Sequence, residues 1–249
     1  SNATTREQLI AHHISDEASA DLGCASAADL IVLAAPVRAI IETLPRVGEI
    51  ARADAIVLDL GSTKREIIRA MENLPAPIQP IGAHPMCGKE TSGFAAADAE
   101  LYRGAVFILT PLARTAPETL AFAQSFAEVL GARPLVLDAE RHDRIVAAIS
   151  HLPFAVAAAL MASALDLARE DDLLWTLAAS GFRDTSRLAA SDVTMMRDIL
   201  LTNRDNVADA LRVYAQHLNA LANAISTRDE TALNAFLETA ATQRRAMFR

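Results

Sequence analysis

A histidine placed where a short apolar run ends, with a serine at the end of the run before it, is the pattern in this sequence best suited to chemistry. The run 78–83 reads as a strand and delivers His84 into the turn Gly82-Ala83-His84-Pro85-Met86-Cys87-Gly88-Lys89-Glu90-Thr91-Ser92-Gly93. Ser62 leaves the run 55–60 in the same way, through Asp59-Leu60-Gly61-Ser62-Thr63-Lys64. Open α/β sheets bind ligands at the carboxyl ends of their strands, so two such groups on neighbouring strands converge on one small molecule. A neutral imidazole beside a hydroxyl suits removal of a proton from an alcohol. Read more plainly, 59–64 is only a strand end at which Gly61 permits a positive φ.

Three further clusters carry polar groups at suggestive spacings. His142-Asp143 is followed by Ser150-His151-Leu152-Pro153, which sets His151 nine residues after His142 and on a different face of one helix. A lone helical histidine is more often a satisfied core or surface residue than a catalyst. In Gly181-Phe182-Arg183-Asp184-Thr185-Ser186-Arg187, Asp184 and Arg187 stand three apart near a helix start and project from one face. That pair is either a surface ion pair worth under about 1 kcal/mol or an arginine fork for a substrate carboxylate, held by its acidic neighbour. Met195-Met196-Arg197-Asp198 with Asn203 and Asn206 is the weakest cluster, since methionines at helical spacing usually belong to a core.

The elements that must position these groups follow from periodicity. Short β-branched runs at 30–34, 55–60, 78–83, 106–109 and 134–137 alternate with helical stretches. Between the first two, Val37, Ile40, Ile41, Leu44, Val47 and Ile50 recur with a helical period. The segment 117–130 is helical by the same test and stops at Gly131. Strand, helix, strand implies a parallel sheet. After Asp138, glycine and proline fall to Gly181 and Pro153, and Ala and Leu dominate. Helices are expected at 139–168 with a kink or turn near Pro153, and at 171–178, 182–190, 193–227 and 228–248. The fold class is therefore α/β: residues 1–138 form a Rossmann-type parallel sheet, and 139–249 form an all-α helical domain packed against it, of a kind that two subunits can share.

Composition narrows the partners. The 249 residues carry 31 acids against 23 bases, a formal charge of -8, which argues against nucleic acid or an anionic membrane surface. Small molecules and a second copy of the chain are the expected partners. The two cysteines, Cys24 and Cys87, form neither a metal knuckle nor a disulfide framework, so a reducing cytoplasm is expected and no metal site is. No run is expected to reach the roughly 18 apolar residues of a membrane span. Ser1-Asn2-Ala3 resembles a scar of tag removal and is set aside.

A dinucleotide-binding domain opens with a strand, a Gly-x-Gly-x-x-Gly turn, a helix and a second strand ending in an acid. The nine glycines contain no Gly-x-Gly pair, and a helical fragment at 4–13 leads to the strand at Leu30. A Rossmann sheet here is accordingly expected to lack its first strand, helix and second strand. Either the sequence begins late, which the scar abutting a helix interior favours, or the natural product lacks the element; the plainer alternative is a smaller, complete parallel sheet with no nucleotide role. Walker loops, nucleophile elbows and zinc-ligand pairs do not occur.

Taken in order, Asp-x-Gly-Ser-x-Lys, His-Pro-Met-x-Gly-x-Glu-x-Ser-Gly, Leu-Tyr-x-Gly-x-x-x-Ile-Leu-Thr-Pro, His-Asp-x-x-x-Ala-x-Ile-Ser-His-Leu-Pro and Gly-Phe-x-Asp-x-x-Arg resemble the prephenate dehydrogenase family from about Thr4 to Asn206. The resemblance implies oxidative decarboxylation of prephenate to 4-hydroxyphenylpyruvate, or of arogenate to tyrosine, with hydride passing to NAD or NADP, in tyrosine biosynthesis. It implies His84 as acceptor of the ring hydroxyl proton, with Ser62 orienting the same oxygen. Arg187 matches the family's substrate-carboxylate arginine, His151 and Asp184 match positions lining or ordering that pocket, and Glu90 matches an acid near its mouth. Ala34, Ala35, Pro36 and Ser62 match positions beside the nicotinamide or its ribose, and the helical domain implies a homodimer. Phe154 stands where the family commonly has a histidine.

Two other functions compete. A non-catalytic dimeric binding protein could keep the substrate pocket and lack the cofactor loop. Rossmann-plus-helical dehydrogenases of hydroxy acids commonly use a lysine of the helical domain, and no lysine follows Lys89.

Overall fold

The computed structural model describes residues 3–88 and 93–247. Helix α1 (Ala3–Ala11) and a 3-10 turn (Leu22–Ala27) precede an alternating α/β region. That region runs β1 (Leu30–Leu33), α2 (Val37–Ile50), β2 (Ile56–Asp59), α3 (Arg65–Glu72), β3 (Gln79–Pro85), β4 (Val106–Pro111), α4 (Pro117–Val129) and β5 (Arg133–Val136). The remaining described chain is helical: α5 (Ala139–Val146), a π turn (Ala147–His151), α6 (Leu152–Ala168), α7 (Leu173–Leu177), α8 (Ser180–Ser186), a 3-10 turn (Arg187–Ala190), α9 (Val193–Thr202), α10 (Arg204–Thr227) and α11 (Glu230–Met247).

The five strands lie in chain order, β1-β2-β3-β4-β5. Pairing is parallel between β1 and β2, β2 and β3, and β4 and β5, each joined through a crossover helix. The fully parallel sheet expected from the sequence is corrected at one place, since β4 runs antiparallel to β3, from Ile81↔Pro111 to Pro85↔Phe107. A parallel return needs a crossover of a dozen or more residues, usually helical. The described residues between β3 and β4 hold only a three-residue 3-10 turn, Phe94–Ala96, so the chain comes back along the strand it left.

Two cores clasp the sheet. On one face α2 buries Val37, Ile40, Leu44 and Val47 against Ile31, Val57, Ile67 and Met71. On the other, Ala123 and Ala127 of α4 let the helix approach Ile81, Phe107 and Leu109 closely. Each large side chain buried here contributes about 1.5–3 kcal/mol. Gly131 follows α4 at φ 75, as a helix stop requires.

The helical half departs from expectation in its breaks. The 193–227 helix is interrupted at Asn203, and 182–190 is α8 starting at Ser180 followed by a 3-10 turn. The break in 139–168 is a π turn ahead of Pro153, which has no N–H to give to a preceding carbonyl. Contrary to the expectation that no run suffices, Ala139–Ala168 contains a window long and apolar enough to cross a membrane by length and composition; 22% of that window is buried. Ile, Val, Leu and Ala side chains supply its hydropathy, while the first turns of the helix carry Arg141, His142, Asp143 and Arg144.

Candidate active site

The carboxyl ends of β2 and β3 are tied together by a buried ion pair. Asp59, the last residue of β2, accepts from Gly61 N at 2.7 Å and from Ala83 N at 3.1 Å, and pairs with Lys64 Nζ. Lys64 Nζ also donates to Ala83 O at 2.6 Å, and neither side chain is exposed. Burial pushes the carboxyl up and the amine down, and their contact and hydrogen bonds oppose both shifts. Gly61 is needed for space and not, as the sequence suggested, for a positive φ: a Cβ there would run into Ile67 Cδ1 and come within 3.0 Å of Asp59 Oδ2. Anchoring Ala83 on both its N–H and its carbonyl fixes the position of the next residue, His84.

His84 is part-buried, and its Nδ1 lies 2.9 Å from His142 Nε2, with ring centroids 5.1 Å apart at 66°. His142 Nδ1 lies 2.7 Å from Asp143 Oδ1, and both residues are fully buried on α5. Asp143 also accepts from Lys64 N at 2.7 Å and Arg65 N at 3.0 Å, capping the N-terminus of α3 from another helix. Arg65 Nε adds an ion pair to Asp143 at 3.5 Å. Burial first, then the charge of Lys64 and the neighbouring His142 and His151, hold His84 well below the ordinary histidine range, so it is neutral at physiological pH.

His151 joins the same cluster. Asn203, at the break between α9 and α10, donates through Nδ2 to Asp143 O at 2.7 Å and to His151 Nδ1 at 3.2 Å. Asn206 Nδ2 donates to Asn203 Oδ1 at 2.8 Å, which fixes the orientation of that amide. Thr63 and Thr202 share a 2.8 Å hydrogen bond, a further tie between the sheet and α9. The π turn underwinds the helix between His142 and His151, and the two rings, set on different faces by a regular nine-residue spacing, enter one network.

Burial lowers His151 to about 4. The unfolded chain binds that proton near 6.5 and the folded chain refuses it, so this contribution to stability is present above about pH 6.5 and is lost as pH falls toward 4. The expected loss from His151 alone between pH 7.5 and 5 is on the order of 2 kcal/mol. Urea titrations of this chain and of His151→Gln at both pH values check this: the variant should show the shallower pH dependence, and equal slopes would contradict it.

A cleft of about 510 Å³ opens at the carboxyl ends of β1 and β2. Its lining includes Ala34, Ala35, Pro36 and Ser62 from the sheet side, Pro85 and Cys87 beyond His84, Met195 of α9 and Asp192, which caps that helix. Ser62 and His84 thus lie at the ends of adjacent strands, although no hydrogen bond joins them. Met195 faces the cleft, whereas Met196 is core. Asp184 and Arg187 are exposed on α8 and the 3-10 turn after it, elements that pack on α6. Asp184 makes its ion pair with Arg183, at 3.5 Å. Glu90 lies outside the described residues.

The sequence drew attention to His142, Asp143, Asn203 and Asn206 without giving them a place beside His84. The adjacency of His142 and Asp143 was the available signal. Their meeting with a strand end some sixty residues earlier depends on how α5 packs on α3, which no local pattern encodes.

A mostly parallel sheet with its cleft at the strand ends, followed by a helical domain that contributes to that cleft, defines a two-domain protein of the nucleotide-binding dehydrogenase class. The chain belongs to the prephenate dehydrogenase family: residues 1–136 match the model of its nucleotide-binding domain and residues 138–239 that of its dimerization domain. It is 34% identical over 226 residues to prephenate dehydrogenase of Lactococcus lactis, covering 90% of this chain. The chain spans 62% of the length of that relative and of a second curated one. Among solved structures, it resembles prephenate dehydrogenase of Aquifex aeolicus in complex with hydroxyphenyl propionate and NAD+, with a TM-score of 0.92 and 31% identity over 99% of this chain and 86% of that one. Synechocystis arogenate dehydrogenase gives a TM-score of 0.83 and 32% identity over 99% and 88%.

Proposed function

We propose that this chain is the greater part of an NAD- or NADP-dependent enzyme that oxidatively decarboxylates prephenate or arogenate in tyrosine biosynthesis. The observation that carries this reading is a neutral, network-anchored His84 beside a cleft at the strand ends, in a chain of this family. Residues 1–138 act as the nucleotide-binding part and 139–249 as the substrate and dimerisation part.

The cleft fits the nicotinamide end of such a cofactor. Ala34 and Ala35 leave room for a ring, Pro36 opens α2, and Ser62 offers a hydroxyl. Bound there, the cofactor supplies the acceptor for the substrate's hydride. The residues of this chain handle the rest. His84 draws off the proton of the ring hydroxyl as hydride leaves the same carbon, and Ser62 orients that oxygen. The electrons of the bond to the departing carboxylate complete the aromatic ring as carbon dioxide leaves, and the phenolic oxygen recovers the proton. Arg187 binds the side-chain carboxylate, with His151, Asp184 and Glu90 ordering the pocket.

Homodimerisation is supported by the dimerization-domain match and by apolar surface on the helices. Leu165, Leu167, Leu211, Val213, Ile225 and Leu237 are exposed, and α11 buries none of its residues within this chain. A cytoplasmic setting fits the two free cysteines.

Arg187→Gln is expected to raise KM about 10- to 100-fold, the value of a charge-assisted pair, with a smaller change in kcat. Steady-state kinetics check this, and a fall confined to kcat would count against the assignment. The reading as a whole is tested by assaying the full-length protein with prephenate and arogenate, each with NAD and NADP. Turnover of one pair is expected. Substrate binding by calorimetry without turnover in any combination would favour a non-catalytic binding protein instead.

A further inference from the structure

The groups behind His84 form a chain of three that the reading above does not use. Asp143 Oδ1 stands 2.7 Å from His142 Nδ1, and His142 Nε2 stands 2.9 Å from His84 Nδ1. We propose that His142 and Asp143 are a proton relay for His84: they hold its bare nitrogen at Nε2 and take over the positive charge when it accepts the substrate's proton. This rests on His84 being the base of the proposed reaction.

Hydrogen-bond direction makes the argument. A carboxylate only accepts, so His142 must carry its hydrogen on Nδ1. With one proton on each ring, His142 Nε2 then holds a lone pair and accepts from His84 Nδ1–H. His84 Nε2 is left unprotonated, the form a base needs. The second histidine is set the other way. Asn203 Nδ2 donates to His151 Nδ1, so His151 carries its hydrogen on Nε2. One network thus prepares an acceptor at His84 and a donor at His151.

The proton can be followed through the relay. As His84 Nε2 takes the hydroxyl proton, the hydrogen on His84 Nδ1 moves to His142 Nε2. The positive charge then rests on His142 against Asp143, and His84 is neutral again. Return of the proton to the phenolic oxygen reverses both transfers, so atoms and charge balance over a turnover. Several groups bear on this site: Lys64, Arg65 and Asp59 from the strand-end turns and α3, and His142, Asp143 and His151 from the helical side. The positive field of Lys64 disfavours charge on His84, and displacement of that charge to His142, beside the Asp143 carboxylate, offsets it.

Two measurements test the relay. On this chain, long-range nitrogen–proton NMR of labelled histidine should show His84 and His142 protonated at Nδ1 and His151 at Nε2. Finding His84 protonated at Nε2 would overturn the proposal, whatever the enzyme assays show. In the full-length enzyme, His142→Phe should lower kcat about 100-fold or more, with KM within about threefold. His142→Gln, whose amide oxygen can accept from His84 Nδ1–H without storing a proton, should restore about tenfold of that loss. If the wild type turns over substrate and both variants match it, the relay is wrong while the proposed function stands. If the wild type turns over neither substrate, the proposed function fails and the NMR result alone decides the tautomers.

Discussion

Full-length enzyme carrying His84→Asn is expected to lose two to four orders of magnitude in kcat, the cost of removing a general base. Asparagine keeps a polar group near Nδ1, where His142 Nε2 now lies 2.9 Å away, and loses the nitrogen that faces outward from the network. Folding should survive, because Ala83, whose two backbone bonds to Asp59 and Lys64 hold the strand end, is untouched. Substrate affinity should change little, since Arg187 is assigned the carboxylate. The signature is a collapse of kcat at nearly constant KM, with the acidic limb of the pH profile removed. Normal turnover would remove His84 from the mechanism.

The second large effect is on stability. Lys64→Met is expected to destabilise this chain by about 3–5 kcal/mol, because it leaves the Asp59 carboxylate buried with two backbone donors and no cation. The lost bond to Ala83 O adds an unsatisfied buried carbonyl. Adding Asp59→Asn to Lys64→Met removes the stranded charge and should recover a substantial part of the loss. Urea unfolding of wild type, single and double variants checks this. A single variant within about 1 kcal/mol of wild type would mean that the pair is dispensable to the fold.

Much of this architecture is written in local pattern. The apolar period from Val37 to Ile50 marks α2 residue for residue, and the β-branched runs mark the five strands to within a residue or two. The direction of β4 was not legible, because it depends on the described residues after β3 holding a 3-10 turn and no crossover helix. Asp59 and Lys64 read only as members of a strand-end turn, with nothing in the local pattern to mark them as core; their complete burial follows only from α3 folding back over the ends of β2 and β3. Gly61 shows the same limit, as the side chain of Ile67 that excludes a Cβ comes from the following helix. At the site, His84, Ser62 and the 34–36 loop were visible as strand-end residues. The carboxylate and imidazole behind His84 were visible only as an adjacent pair, His142 and Asp143, whose partner is set by tertiary packing.

The central claim is that the strand-end cleft and His84 serve one oxidative decarboxylation. Its most direct test is to follow reduced nicotinamide and carbon dioxide together when full-length protein meets prephenate or arogenate. Equal amounts of both products, formed by wild type and suppressed at least about 100-fold in His84→Asn, are the predicted result. Substrate that binds with neither product appearing, or products formed equally well by the His84→Asn protein, would contradict it.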